Sequence, residues 1–335
     1  MNLITELMPT YRLRQIDHVP VAASPSEAWK ALQSFDASAI PYVRWLFDLR
    51  LLPAQLAARL RGEPAPERAH LTLRDAGEGP GFFRLESPGH ELCVGSVGKF
   101  WQSHIEFAPG AHGRFADFNA PGFGKLAWSL RVDPRRGGGS WLTFELRVDA
   151  TDDAAWRKFG RYWLLIGKFS HVIRRGLLRA LSRRLGGSPP LATQALPGDD
   201  ILPAPGLVRT HWTVIEAPPA RVFPWLTRMG EGRSGWCALD VDEPRAVVLG
   251  APSLLPGQAD SLIPDDEPPL RDTWAFVAEP IGDDATLLLT RVRAEYPDGA
   301  AGAWRSEVMG AAHGVLERAK LRLIKRQAEG PAAAS

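Results

Sequence analysis

The chain is poor in most of what marks the common enzyme and membrane classes. Its 335 residues include two cysteines, Cys93 and Cys237. Two thiols cannot build a disulfide framework or a four-cysteine zinc site, and a reducing cytoplasm is the expected compartment. No stretch approaches the roughly 18 consecutive apolar residues of a membrane span. The opening MNLITELMPTYRLRQ has no basic segment followed by an apolar one, so no secretory leader is expected. There is no His-x-x-x-His, no Cys-x-x-Cys and no Gly-x-Ser-x-Gly. No metal, no cofactor and no nucleophile elbow are therefore expected. An excess of one charge is also lacking. The 40 basic and 38 acidic residues leave a net +2, which excludes polyanion binding by bulk composition, and no nucleic-acid partner is expected. Only seven of the 40 basic residues are lysine. The arginine excess, with abundant Ala, Gly and Pro, reads as GC-rich coding rather than as function.

What is present is a globular balance, 45% hydrophobic and 23% charged, in a length that suggests about two domains. There is also a repeat. Ala23-Ser24-Pro25-Ser26-Glu27-Ala28-Trp29-Lys30-Ala31-Leu32 returns as Ala217-Pro218-Pro219-Ala220-Arg221-Val222-Phe223-Pro224-Trp225-Leu226, 194 residues later. Proline in a first helical turn costs no hydrogen bond. The shared pattern is thus a strand running into a helix start. Trp128 to Pro134 returns as Trp274 to Pro280, 146 residues later. Each leads through a Gly- or Asp-rich turn into a further strand, ending Arg147-Val148-Asp149-Ala150 in one copy and Arg291-Val292-Arg293-Ala294 in the other, which is a β-hairpin pattern. A long helical stretch closes each copy, from about Asp152 to Leu185 and from about Ala300 to Ala328, with Thr151 as the expected N-cap of the first. Domain 1 is placed at 1–187, a Pro/Gly-rich linker at 188–206, a shorter domain 2 at 207–330 and a tail at 331–335.

Within the first copy, strands are expected at His70–Asp75, Phe82–Glu86 and Glu91–Gln102. Further strand-like stretches are His104–Phe107 and Arg114–Phe118, and a helix is expected over Tyr42–Arg61. The second copy, about 48 residues shorter in its middle, has room for short strands near Trp236–Val241, Arg245–Gly250 and Ala259–Ile263.

The order strand, helix, antiparallel strands, long helix, given twice, resembles the SRPBCC (START/Bet v 1-like) superfamily in its polyketide cyclase/dehydrase-like branch. The resemblance rests on Ala23 to Trp29, Glu91 to Trp101 and Trp163 to Arg184 in the first copy. In the second it rests on Ala217-Pro218-Pro219, Met229 to Trp236 and Leu316 to Arg326. It implies an α+β fold of two tandem helix-grip domains, each a curved antiparallel sheet wrapped on a long C-terminal helix, the second shortened. It implies an apolar cavity between sheet and helix, and no single reaction.

Strand alternation sorts the side chains of that expected cavity. Trp128, Leu130, Phe144 and Leu146 fall on the inner face of the first sheet, with Trp101 and, from the long helix, Trp163 beside them. Trp274, Phe276 and Thr290 fall on the inner face of the second, Thr290 taking the place of Leu146. These are the candidate ligand-binding residues. Ser129, Arg131, Thr143, Glu145 and Arg147 point outward. The helix stripe is Phe159, Trp163, Ile166 and Ser170. Only one of His211 and Trp212 can face the second cavity.

Ionisable candidates are few. His104 and Glu106 share a strand face and are the weak catalytic candidates, as a base and its orienter. Gly230 to Gly235 reads as a helix cap and turn, and Asp240, Asp242 and Glu243 as a solvated loop. The arginines late in the first long helix complement its dipole, and the same basic end is a candidate membrane contact. The leading expectation is a binder of a hydrophobic small molecule: a lipid, a quinone or a polyketide-like aromatic. The alternatives are an aromatase/cyclase- or dehydrase-type enzyme on a polyketide-like substrate, working by positioning, and a structural or dimerising role for domain 2. The oligomeric state stays open.

Overall fold

The computed structural model describes residues 2–36, 77, 81–102, 105–188, 190–229, 236–251, 254, 271–295 and 317–330. The chain divides into two compact units, Met1–Pro189 and Pro190–Ser335. Unit 1 runs α1 (Leu3–Leu7), β1 (Leu13–Val21), α2 (Pro25–Gln33), β2 (Phe82–Ser87), β3 (Glu91–Gly98), β4 (Gly124–Pro134), β5 (Ser140–Ala150) and α3 (Asp153–Arg184). Unit 2 runs β6 (Leu207–Ile215), α4 (Pro219–Thr227), β7 (Cys237–Asp242), β8 (Ala246–Gly250), β9 (Asp272–Ile281) and β10 (Ala285–Ala294), closed by α5 over residues 317–329.

The class is α+β, and the two units repeat one topology. Both sheets are antiparallel and five-stranded, ordered β1-β5-β4-β3-β2 and β6-β10-β9-β8-β7. A shared latch marks the repeat at atomic level. The Ser140 hydroxyl donates to the Ala23 carbonyl at 2.8 Å, and the Thr286 hydroxyl donates to the Ala217 carbonyl at 2.6 Å. Each ties the last strand to the loop that opens the first helix. The β4–β5 turn needs Gly139 beside this latch: its φ is +81°, and a Cβ there would lie 2.2 Å from the Val21 carbonyl oxygen. The second unit keeps five strands and is shorter chiefly between its helix and the next strand, residues 228–236 standing where unit 1 has 34–81, with β8 at five residues where β3 has eight.

The inner faces form the cores. In unit 1, Val94, Leu130, Val132 and Leu142 pack against Trp29 and Leu32 of α2 and against Leu177, Leu178 and Leu181 of α3. In unit 2, Leu249, Trp274, Phe276 and Leu288 pack against Val222, Phe223 and Leu226 of α4 and against Leu321 and Ile324 of α5.

The outer faces are covered as well. Ser129, Arg131, Thr143, Glu145 and Arg147 are all buried. Helix α1 lies over β3 and β4, with Ile4 and Met8 packed on Cys93, Val97 and Ala127. Charge satisfies charge beneath it. Arg14 and Arg147 both donate to Glu145 at 2.7 Å, and Arg131 donates to Asp133 at 2.7 Å. Arg147 also reaches the Met8 carbonyl at 2.8 Å and the Thr5 hydroxyl at 3.0 Å, and the Leu3 amide donates to Glu91 at 2.7 Å. Unit 2 repeats the device with the segment whose composition reads as linker. Leu191, Leu196 and Leu202 are buried. Arg291 donates to the Ala192 and Gln194 carbonyls at 2.9 Å, and Arg293 to the Leu202 carbonyl at 2.8 Å.

Several local expectations are corrected. Asp152 caps α3, accepting from the Ala155 amide at 2.7 Å, while Thr151 exchanges hydrogen bonds with Phe123 one residue too early to cap. Residues 114–118 are not a strand: a 3-10 turn over His112–Arg114 delivers Phe115 into the outer-face core. Of the described residues 105–107 only Phe107 bridges, to Gly98. The expected strands at His70–Asp75 and Ala259–Ile263, the helix at Tyr42–Arg61 and the glycine turn at 230–235 lie outside the described residues, as do 300–316 of the second long helix.

Candidate functional site

The candidate site is the inner wall of unit 1. Strand pairing sets Trp128 opposite Leu146 and Leu130 opposite Phe144, so the four share a face. Trp128 and Phe144, diagonal neighbours, stack at 5.7 Å with their planes 9° apart. Helix α3 supplies the facing rings. Phe159 stacks on Trp156 at 5.6 Å and on Trp163 at 5.4 Å, and Trp101 joins them against Leu146 and Val148. Leu130, Leu146 and Phe159 are buried, whereas Trp101, Trp128, Phe144 and Trp163 are each half-buried. The wall is built from rings that stay half-buried among the described residues.

A polar group adjoins it. Gln15 and Asp17 of β1 pair with Leu146 and Phe144, on the same inner face. Arg174 of α3 descends onto them. Its Nε donates to Asp17 at 3.2 Å, and its Nη1 to Gln15 at 2.6 Å and to Ser170 at 3.0 Å. Its guanidinium carbon sits 5.9 Å from the Phe144 ring centre. Burial pulls the Arg174 pKa down and the Asp17 carboxylate pulls it back up. Arginine remains the cation through both, and its planar fork suits several acceptors at once. The cluster pins α3 to β1 and gives the aromatic wall one charged end. Sequence reasoning assigned Arg174 to the helix dipole. Its place four residues after Ser170 on the apolar stripe was the available signal.

Unit 2 fills the same positions differently. Trp274 and Phe276 are buried, with ring centres 4.6 Å apart, and Trp236 meets Trp274 edge-on at 6.2 Å. The Lys320 ammonium lies 3.7 Å from the Trp274 ring centre. The register sets Thr290 between Phe276 and His211. That is the position of Phe144, not of Leu146: matching Arg147-Val148 to Arg291-Val292 slips the alignment by two residues. Thr290 is buried, and its hydroxyl has no hydrogen-bond partner among the described residues. His211 stands where Asp17 stands, on the inner face, and Trp212 points outward, half-exposed. Aligning Leu178–Leu181 with Leu321–Ile324 sets Glu317 at the position of Arg174, and Glu317 is buried.

The weak catalytic candidates do not meet this wall. Glu106 is exposed and held by the Lys99 ammonium at 2.8–2.9 Å. His104 lies outside the described residues. Asp240, Asp242 and Glu243 are exposed. Cys93 is buried beneath α1, and burial pushes its thiol pKa far up, which keeps it protonated and inert. An apolar recess that shares Leu130 with the wall and is otherwise lined by Trp29, Leu32, Gln33, Arg84 and Leu92 has room for about one water molecule. Among the described residues no three His, Cys, Asp or Glu side chains cluster as metal ligands. No described helix is long and apolar enough to cross a membrane.

No family model and no curated protein sequence matches the chain. Among solved structures it is similar to the di-domain ARO/CYC BexL of the BE-7585A biosynthetic pathway, at 15% identity over 95% of this chain and 99% of that one, with a TM-score of 0.24. It is similar to the Zhui aromatase/cyclase from Streptomyces sp. R1128, at 11% identity over 38% of this chain and 96% of that one, TM-score 0.26. A START superfamily protein from Mycobacterium smegmatis is 13% identical over 36% of this chain and 99% of that one, TM-score 0.23. At these identities and scores the architecture and the site stand on this chain's own geometry.

Proposed function

We propose that unit 1 binds a flat, hydrophobic small molecule against the Trp128–Phe144 wall, with any polar end of it turned toward Arg174 and Asp17. The observation that carries this is the contrast in closure. Trp128 and Phe144 are stacked but half-buried, while Trp274 and Thr290 at the matching positions of unit 2 are shut into a core with Phe276 beside them. Ligand sites of this kind are mostly apolar with a few placed polar groups, and parallel stacked rings favour a planar guest. Lipids, quinones and polyketide-like aromatics share the required chemistry, and the flat members of that set suit the wall best.

The test is native mass spectrometry of the protein purified from its own host, followed by extraction and by tryptophan-fluorescence titration with a short-chain quinone. A stoichiometric apolar adduct, or saturable quenching that Trp128→Ala abolishes, supports the reading. An adduct-free protein whose quenching is unchanged by Trp128→Ala overturns it.

For unit 2 a structural or dimerising role is the second reading. It rests on the closed wall and on Trp212, half-exposed on the edge strand β6. A concentration-independent monomeric mass in both the wild type and Trp212→Ser overturns the dimer.

A further inference from the structure

The side of α3 turned away from the aromatic wall carries a second surface. After Asp153 the helix has no acidic residue through Arg184 and nine basic ones. Arg174 turns inward. The other eight are all exposed, and none of them forms an ion pair among the described residues. The helix dipole accounts for those in the last turns and not for Arg157, Lys158 and Arg161, which sit near the end where cations are unfavourable. Arg157, Arg161, Leu164, Lys168, Val172, Arg175 and Arg179 follow one another at steps of three and four, which draws a single stripe along the helix. The stripe is about 33 Å long at 1.5 Å per residue. Its apolar members stand out into water, Leu164 at 81% exposure and Val172 at 48%, with Phe169 at 36% beside them.

We propose that this stripe docks unit 1 onto an anionic lipid bilayer. Unpaired cations supply attraction to a negatively charged surface, and each acts only near it. Aliphatic side chains spaced between cations are what an interfacial helix buries at the headgroup boundary. The long stems of Arg and Lys let their charges rise as Leu164 and Val172 descend. The exposed side of a single helix is convex, so it fits a plane rather than a protruding partner. Its partner surface carries the opposite charge over the stripe's full length. The inference holds whether or not the aromatic wall binds a ligand, since it uses the other face of the helix.

Vesicle flotation of the full chain tests it, using pure phosphatidylcholine and phosphatidylcholine doped with phosphatidylserine. Floating with the anionic vesicles alone, and release as salt shortens the screening length from about 10 Å at 0.1 M to about 3 Å at 1 M, are the expected results. The variant R161E/K168E/R175E/R179E is expected to lose at least about tenfold in partition. Leu164→Ser with Val172→Ser, which keeps every charge, is expected to lose about threefold or more. All six positions are exposed, so circular dichroism and melting should not change, and a variant that fails this check is replaced by the other. No flotation of the wild type at low salt overturns the proposal. So does salt-sensitive binding to polyglutamate without flotation, which would assign the stripe to an acidic protein.

Discussion

At one register position the first sheet carries Phe144 between Leu130 and Asp17, and the second carries Thr290 between Phe276 and His211. Around that position the two units exchange roles. In unit 1 the long helix offers a cation, Arg174, and the first strand a carboxylate, Asp17. In unit 2 the helix offers a carboxylate, Glu317, and the strand an imidazole, His211. The rings differ in the same sense. Trp128 and Phe144 lie parallel and half-buried, while Trp274 and Phe276 close to 4.6 Å under the Lys320 ammonium. One scaffold therefore presents a half-buried aromatic wall once and a buried aromatic core once. The latches from Ser140 and Thr286 hold the strands alike in both. What differs is the side chains placed on them.

The contrast breaks most visibly by truncation. Phe276→Ala is expected to cost about 3–5 kcal/mol, the price of a large cavity in a closed core. Phe144→Ala is expected to cost about 1–2 kcal/mol, since less apolar surface leaves contact there. Hydrogen exchange resolved to β9–β10 and to β4–β5 reads the two units separately. Equal losses would make the first wall an ordinary core and remove the argument for an open one.

Next in size is the pair beside the wall. Arg174→Met leaves Asp17 without its cation and is expected to cost about 2–3 kcal/mol, somewhat below a fully buried pair because Asp17 keeps some water. If the pair is chiefly a clamp between β1 and α3, adding Asp17→Leu recovers most of that loss in urea titrations. If the double variant stays stable yet binds a charged-tail quinone no better than a neutral one, where the wild type prefers the charged form, Arg174 also orients ligand.

Smaller and opposite in sign is the hydroxyl pair of β10. Thr286 donates to Ala217, and Thr290 has no partner among the described residues. Thr286→Val is expected to cost about 1 kcal/mol and Thr290→Val to gain up to about 1 kcal/mol, because only the second relieves a desolvated group of its unmet hydrogen bond. A loss at both sites would mean that Thr290 bonds a group outside the described residues.

The sequence made some of this legible and hid the rest for physical reasons. Alternation in Leu142–Val148 and Trp128–Val132 sorted the faces, because a strand's period of two leaves few readings. The repeat gave the topology, since Pro25 and Pro219 each open a helix after a strand. The two-residue slip at Thr290 arose because Arg-Val-x-Ala recurs in both last strands, whereas the strand pairing and the latch at Ser140 and Thr286 fix the register. Arg174 was hidden because an arginine near a helix end already has a satisfactory explanation in the dipole. The outer faces were hidden because Thr143, Glu145 and Arg147 alternate as solvent-facing residues do. Nothing local says that α1 in one unit, or residues 191–202 in the other, will lie across them. Those covers depend on carbonyls offered to Arg147, Arg291 and Arg293 from far along the chain, a long-range fit with no spacing to betray it.

The smallest expected difference lies where each unit begins its first helix after the sheet's edge strand. Helix α2 starts with a capping box: the Ser24 amide and hydroxyl donate to Glu27 at 2.9 and 2.6 Å. These bonds hold the Glu27 carboxyl below its usual range, the Ser24 side chain contributing most. Helix α4 starts on Pro218 and Pro219 with no side-chain cap. A carboxyl whose folded pKa is depressed stabilises the fold above its unfolded pKa, about 4.3 for Glu, and that contribution fades as pH falls through the folded value. Amide protection at Ala28, corrected for intrinsic exchange, should therefore fall on acidification below about pH 4, while protection at Val222 holds. Glu27→Gln should flatten the dependence at Ala28 and leave Val222 untouched. The same acid loss at both helices would trace it to the sheets rather than to the cap. Asp152, held low by the Ala155 and Gly122 amides at the start of α3, should be separable from Glu27 because its loss reports on Ala155 instead.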